Sequence, residues 1–308
     1  MAAHRSFTDL VGCRLPLQLA SLGAPVGTPE LAAAVSKAGG LGMIPNPSSA
    51  TEVDECVDRA RALTTQPIGV GFLMPFLATE ALQAAAAAAD VVDFFYGDPD
   101  PELVRAARAK GALAAWQTGS APEAVAAAKA GCDFVVVQGT EAGGHVRGTQ
   151  RLDDVLADTL ANVEIPVAAA GGVGTAQRVS QLLEAGAAGV RVGTRFVAAE
   201  EADAHPNYVA MLIAASREDT VLTETFTTGW PDAPHRVLRT AVEAAERLDG
   251  SVAGTLGERQ IARFGPLPPT RQVSGEIAAM ALYAGESVDA VIDTQPAADV
   301  VAELTPNT

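Results

Sequence analysis

The chain has 308 residues, 48% of them hydrophobic and only 5% aromatic, with a formal net charge of −16. Such a length suits one large core of roughly 250 residues with an appendage, packed mainly from Ala, Val, Leu and Ile. The acidity excludes phosphate backbones and anionic lipid surfaces as partners, and the cysteines Cys13, Cys56 and Cys132 form no C-x-x-C pair, so neither a disulfide framework nor a metal site is expected.

The first dozen residues are charged and lack an apolar stretch, and the alanine run at 84–89 is too short to span a bilayer, so a cytoplasmic protein is expected. Eight apolar runs then follow in order: Pro16–Leu22, Leu41–Ile44, Ile68–Leu73, Val91–Phe95, Ala112–Gln117, Phe134–Gln138, Val167–Ala170 and Val190–Val192. They do not alternate, as expected of parallel strands covered on both faces. Between them lie helical patterns at Glu30–Ala38, Thr51–Ala62, Thr79–Ala89, Pro101–Lys110, Pro122–Ala130, Leu152–Leu160 and Ala176–Glu184. Four of these end at a glycine (Gly39, Gly111, Gly131, Gly186), the usual left-handed stop before the next strand. Eight is the number that closes a (β/α)8 barrel, and no G-x-G-x-x-G follows the first run, so a TIM barrel is expected over a doubly wound sheet.

After Ser216 the rhythm breaks. The reading is an extended segment at Thr220–Phe226, a helix at Arg236–Arg247, a Gly/Pro-rich loop to Pro269, a last helix at Gly275–Ala284 and a polar tail. The expected organisation is a barrel over 1–219 and a C-terminal helical lid over 220–308, lying on the catalytic mouth.

In such barrels function sits on the loops after the strands. The seventh run leads into Gly171-Gly172 and the eighth into Gly193-Thr194, with a helix starting near Thr194. Backbone amides at these two neighbouring turns suit a phosphate, and they let so acidic a chain hold one. The sixth run leads into a polar loop, Gln138-Gly-Thr-Glu-Ala-Gly143-Gly144-His145. A histidine after two glycines at the mouth is placed for proton transfer rather than core packing. His4, His205 and His235 lie in a tail, a loop and the lid, and carry weaker claims.

The segments Gln138-Gly139-x-Glu141-Ala-Gly143-Gly144-His145-x-x-Gly148, Gly171-Gly172-Val and Val-Gly193-Thr194-Arg195-Phe196 resemble those of nitronate monooxygenases, relatives of flavin-containing quinone and enoyl reductases. The resemblance runs from about Pro16 to Val288. It implies FMN, with its phosphate on Gly171, Gly172, Gly193 and Thr194, and its ring against Ala20, Ser21, Gly71 and Gln138, close to the Gly143-Gly144 turn. It puts His145 beside the flavin as the catalytic residue, and a small-molecule substrate and O2 as the reaction partners; a homodimer is compatible with the reading. Three departures stand out: Ala20-Ser21-Leu22 where Ala-Pro-Met is common, Gly71 where an Asn is usual, and Glu286 where the family has Gln.

The function expected is FMN-dependent oxidation of alkyl nitronates by O2. The alternatives are an NAD(P)H-dependent quinone or enoyl-thioester reductase on the same scaffold, or a non-catalytic flavin-binding protein. An inosine-monophosphate-dehydrogenase-like barrel is set aside, because that chemistry needs a cysteine at the mouth and Cys132 precedes the sixth run at the other end.

Overall fold

A computed structural model describes residues 6–305 apart from Ala24. Its centre is an eight-stranded parallel barrel made of β1 (Leu17–Leu19), β2 (Gly42–Pro45), β3 (Ile68–Leu73), β4 (Val91–Phe95), β5 (Leu113–Thr118), β6 (Phe134–Gln138), β8 (Val167–Ala170) and β9 (Gly189–Val192). The two-residue strand β7 (Gly144–His145) lies outside it. β1 pairs with β9, and a parallel bridge from Gln18 to Leu41 joins β1 to the β2 side and closes the ring. These are the eight expected strands, each with ends within three residues of those of its apolar run.

Outside the strands run α2 (Pro29–Ala38), α3 (Ala50–Leu63), α4 (Thr79–Ala88), α5 (Pro101–Arg108), α6 (Ala121–Ala130), α7 (Leu152–Leu160) and α8 (Ala176–Glu184). Thr28, Ser49, Ser120 and Thr175 cap their first turns through side-chain oxygens, and the four glycines read as helix stops all have φ between 98° and 111°. A short helix not expected from the sequence, α1 (Phe7–Val11), plugs the lower end of the barrel, where Phe7 meets Phe134 edge-on at 5.4 Å.

Inside the barrel, Leu41, Met43, Val91, Ala115, Phe134, Val136 and Ala168 form an apolar core. Two residues further along several of these strands the interior turns polar: Asp93 on β4, Gln117 on β5 and Gln138 on β6, joined by Arg191 on β9 and Gln18 on β1. This polar layer divides the core from the mouth.

After β9 come α9 (Thr194–Val197), only one turn long, and α10 (Pro206–Ile213). The remaining segment holds two three-stranded antiparallel sheets as well as helices. β10 (Thr220–Thr223) and β11 (His235–Leu238) pair with β7, while β12 (Val252–Leu256) pairs with β13 (Arg259–Ala262) and β14 (Val273–Gly275). Four expectations for this stretch are corrected. Helix α11 begins at Arg239, not Arg236, because 235–238 is drawn into the sheet with the His145 loop. The loop expected to run to Pro269 contains the β12–β13 hairpin. The helix expected at Gly275–Ala284 is a single 3-10 turn, Ile277–Ala279, followed by extended chain, because Leu238 N–H bonds Leu282 C=O and Val237 bridges Tyr283. The expected polar tail instead carries α12 (Ala297–Leu304), whose Ala297, Val300, Val301 and Leu304 are buried. It packs on α2, α8 and α9 and supplies the eighth helix of the outer ring.

Candidate active site

The mouth of the barrel, on the side of the strand C-termini, opens into a cavity of about 490 Å³. Every candidate site residue read from the sequence lines it: Ala20, Ser21, Gly71, Gln138, Gly143, Gly144, His145, Gly171, Gly172, Gly193 and Thr194.

Part of its lining is the glycine cradle. Gly171 and Gly172 hold φ of +113° and +66°, and a Cβ on either would stand 3.1 Å from Gly139 O or 3.2 Å from Glu141 Cβ. Side chains here would be strained and would close the turn. A Cβ on Gly143 would meet Gly285 N at 2.5 Å. Thr194 Oγ1 accepts a hydrogen bond from Gly285 N–H at 3.0 Å and keeps its own proton to donate. With α9 a single turn, the amides and this hydroxyl are what the cradle offers an anion, rather than a helix dipole.

His145 lines the same cavity, on the loop after β6, the strand next to β8. β7 holds it against His235 of β11, and the Gln138 side chain braces the loop by donating to His145 C=O at 2.9 Å and accepting from Arg147 N–H at 3.3 Å. Part of the Gln138 amide is thus spent on the loop rather than on a ligand. The imidazole stacks on Trp230 at 3.9 Å, and Tyr96, Tyr283 and His235 lie within 6 Å, with centroid distances of 5.8, 5.6 and 5.4 Å. Its Nε2 is buried without a hydrogen-bond partner among the described residues. Burial, and then the neighbouring His235, push its pKa down to about 3, so the ring is neutral at physiological pH. His235 is a fully used structural residue: Nδ1 donates to Ala233 C=O at 2.9 Å and Nε2 accepts from Phe226 N–H at 3.1 Å. His205 caps α10, and His4 lies outside the described residues.

Trp230 lines the cavity and anchors its loop edge-on to Phe76 and Tyr96 at 5.0 and 4.9 Å. Tyr96 sits in the left-handed region at φ 67°, a strained conformation for an aromatic residue held where β4 meets the mouth. Tyr283 lines the cavity and donates to Pro266 C=O at 2.8 Å. Arg195 points away, to Glu303 and Ala290 C=O.

The sequence reading missed the floor. Asp93 and Arg191, 1% and 4% exposed, form an ion pair at 2.9 Å, and both line the cavity with Gln117. Burial pushes the Asp93 carboxyl up against the pull of Arg191. The signal was there: a charge inside Val-Val-Asp-Phe-Phe and another inside Gly-Val-Arg-Val, each in an otherwise apolar strand. Glu286 also has a reason. It meets Arg151, Arg217 and Arg236 at 3.1, 2.6 and 3.6 Å. Burial works to raise its pKa, but the hydrogen bonds from Arg151 and Arg217 outweigh this and hold the carboxylate ionised.

A closed (β/α)8 barrel with a neutral histidine and a glycine cradle lining one cavity at its mouth has the layout of a barrel enzyme. A nitronate monooxygenase family model matches residues 4–88 and 77–307, and the chain belongs to that family of oxidoreductases. It is 33% identical to a nitronate monooxygenase of Pseudomonas aeruginosa, over 71% of this chain and 76% of the relative. It is 30% identical to a methyl-oxo-octahydro-indene carboxyl-CoA dehydrogenase of Rhodococcus jostii, over 81% of this chain and 69% of the relative. The FabK structure from Thermotoga maritima superposes with a TM-score of 0.82 at 27% identity, covering 97% of this chain and 94% of that one. Among the described residues no helix is long and apolar enough to cross a membrane.

Proposed function

We propose that the protein is an FMN-dependent oxidase of alkyl nitronates or similarly stabilised carbanions, with O2 as the final acceptor. The observation that carries this reading is the neutral His145 imidazole, its Nε2 buried without a partner among the described residues, lining the same cavity as a glycine cradle. The cradle fits a phosphate at Gly171, Gly172, Gly193 and Thr194, and the strand ends at Ala20, Ser21, Gly71 and Gln138, with the Gly143-Gly144 turn, leave room for a flat ring. FMN bound there supplies the acceptor for the substrate's electrons.

The rest falls to the chain. Phe76, Trp230 and Tyr283, with Tyr96 packed edge-on against Trp230, give an organic substrate an aromatic wall. His145, stacked on Trp230 and fixed through its backbone by Gln138, is held in one orientation. With its pKa lowered to about 3, the imidazole is a weak base. It suits hydrogen bonding to the oxygen atoms of a substrate that arrives as an anion better than removing a proton from a neutral nitroalkane.

A second reading, reduction or dehydrogenation of a thioester by way of the same flavin, draws on the 30% identity to a carboxyl-CoA dehydrogenase. An anaerobic titration of the yellow protein separates the two. Bleaching by ethylnitronate and indifference to NADH is expected; bleaching by NADH alone would replace the first reading with the second. A protein that takes up no FMN would overturn both.

A further inference from the structure

We propose that the Asp93–Arg191 pair, with the Ser21 hydroxyl, forms a polar floor that reads the hydrogen-bonding edge of a planar heteroaromatic ring bound at the barrel mouth. The chemical class is a ring bearing an N–H flanked by carbonyls, and the inference rests on the flavin reading, whose pyrimidinedione edge is of this kind.

Arg191 uses Nε on Gln18 Oε1 at 3.2 Å and Nη1 on Gln117 Oε1, while Nη2 lies 2.9 Å from Asp93 Oδ2 as a charge contact rather than an aligned hydrogen bond. Three buried polar atoms in this group keep unused capacity: Arg191 Nη2, Asp93 Oδ1 and Ser21 Oγ. All three side chains line the same cavity. Beneath Asp93 and Gln117 the interior is Val91 and Ala115, with Met43 and Val136 beside them, so no partner is to be had from below. A purely structural ion pair would be satisfied within the protein, because each buried polar atom left unpaired costs about 1–3 kcal/mol. Two atoms without any partner, Asp93 Oδ1 and Ser21 Oγ, beside an Arg191 Nη2 held only by its ion pair, all on residues that line one cavity, are explained by a ligand that completes them.

Gly71 keeps that edge accessible. A Cβ at this position would collide with Ser21 Oγ and stand 3.8 Å from Asp93 Oδ2. An acceptor at Asp93 Oδ1 and donors at Arg191 Nη2 and Ser21 Oγ match an N–H and two carbonyls. The pair also sets the charge felt by the ring, since a cation nearby favours the more negative, reduced form and a carboxylate opposes it.

The test uses the purified full chain loaded with FMN, reading the midpoint potential by dye equilibration and the FMN Kd by flavin fluorescence. Asp93→Asn leaves Arg191 unopposed, and at least a tenfold gain in affinity for reduced over oxidised flavin is expected, a rise of about 30 mV for a two-electron couple. Arg191→Gln should move the potential down by as much. The Asp93→Asn/Arg191→Gln variant, which leaves no buried charge unpaired, should return to the wild-type potential while binding FMN at least tenfold more weakly. Single variants that bind FMN with unmoved potentials, or a double variant that binds it as tightly as wild type, would overturn the floor and leave the flavin reading standing. A wild-type chain that binds no FMN would overturn both.

Discussion

The depressed pKa of His145 makes a quantitative statement about stability. In the unfolded chain the imidazole titrates near its model value of 6.5, whereas in the folded protein it resists protonation down to about 3. Between those values the unfolded state binds the extra proton, so folding is penalised as pH falls and the penalty is absent above about pH 7. At pH 5 the unfolded side chain is almost wholly protonated and the folded one is not, which costs about 2 kcal/mol; near pH 3 the full separation corresponds to about 5 kcal/mol. Replacing the ring by an uncharged side chain of similar reach, His145→Gln, removes this term and leaves the titrations of the many carboxylates in place. Flavin-free protein would be unfolded in urea at pH 8 and pH 5, followed by far-UV circular dichroism, for wild type and variant. The stability of wild type relative to the variant should fall by about 2 kcal/mol between the two pH values. A difference that stays constant would show that the ring is solvated or paired in the folded state, and with it the neutral-imidazole mechanism would fall.

Other outcomes follow from the same geometry. Gly71→Asn should destabilise the protein by about 1–3 kcal/mol by overpacking against Ser21, and Ser21→Gly in the same chain should recover at least 1 kcal/mol of that in thermal melts. Gly172→Ala, forced to φ +66° with its Cβ 3.2 Å from Glu141 Cβ, should weaken FMN binding at least tenfold in an equilibrium titration. Leu304→Ala, at a residue that does not line the cavity, should cost about 2–5 kcal/mol in urea unfolding if α12 completes the ring of helices, with the flavin spectrum unchanged.

The barrel was legible because both faces of each strand are covered, which turns Ile68–Leu73 or Phe134–Gln138 into unbroken apolar runs that only a buried parallel strand needs. The cradle and His145 were legible because barrel chemistry gathers at strand ends, and those ends are marked by glycine. The segment after the barrel was not, for a physical reason. Residues 275–284 are rich in Ala, Met and Leu and favour a helix locally, but pairing across to Val237 and Leu238 holds them extended. The same non-local pairing takes 235–238 out of a helix. Helix α12 is a different case: its buried Ala297, Val300, Val301 and Leu304 follow the i, i+3, i+4, i+7 pattern of an amphipathic helix, present in the sequence but set among polar ends. Asp93 and Arg191 escaped notice because a strand read as apolar hides which of its residues faces inward; only closure of the ring brings β4 and β9 across from each other.

The three departures from the family pattern bear on whether the protein is an enzyme with an altered pocket or a flavin binder that has lost its chemistry. Drift after loss of function would leave unmatched changes. Here the changes at Ser21, Gly71 and Glu286 have partners. Ser21 takes the space that a side chain at position 71 would need, so the serine and the glycine fit together as one exchange. Glu286 stands where a neutral amide is usual, yet three arginines converge on it, and its backbone N–H ties it to Glu141 C=O at 2.9 Å. Glu141 in turn accepts from Leu152 N–H at 3.0 Å and so fixes the start of α7, on the loop that carries His145. A matched exchange at the mouth and a charge network bracing the histidine loop are what retention of a working site predicts. On the flavin reading proposed above, the substrate of this protein should therefore differ from that of relatives carrying the common residues, and turnover should still depend on His145.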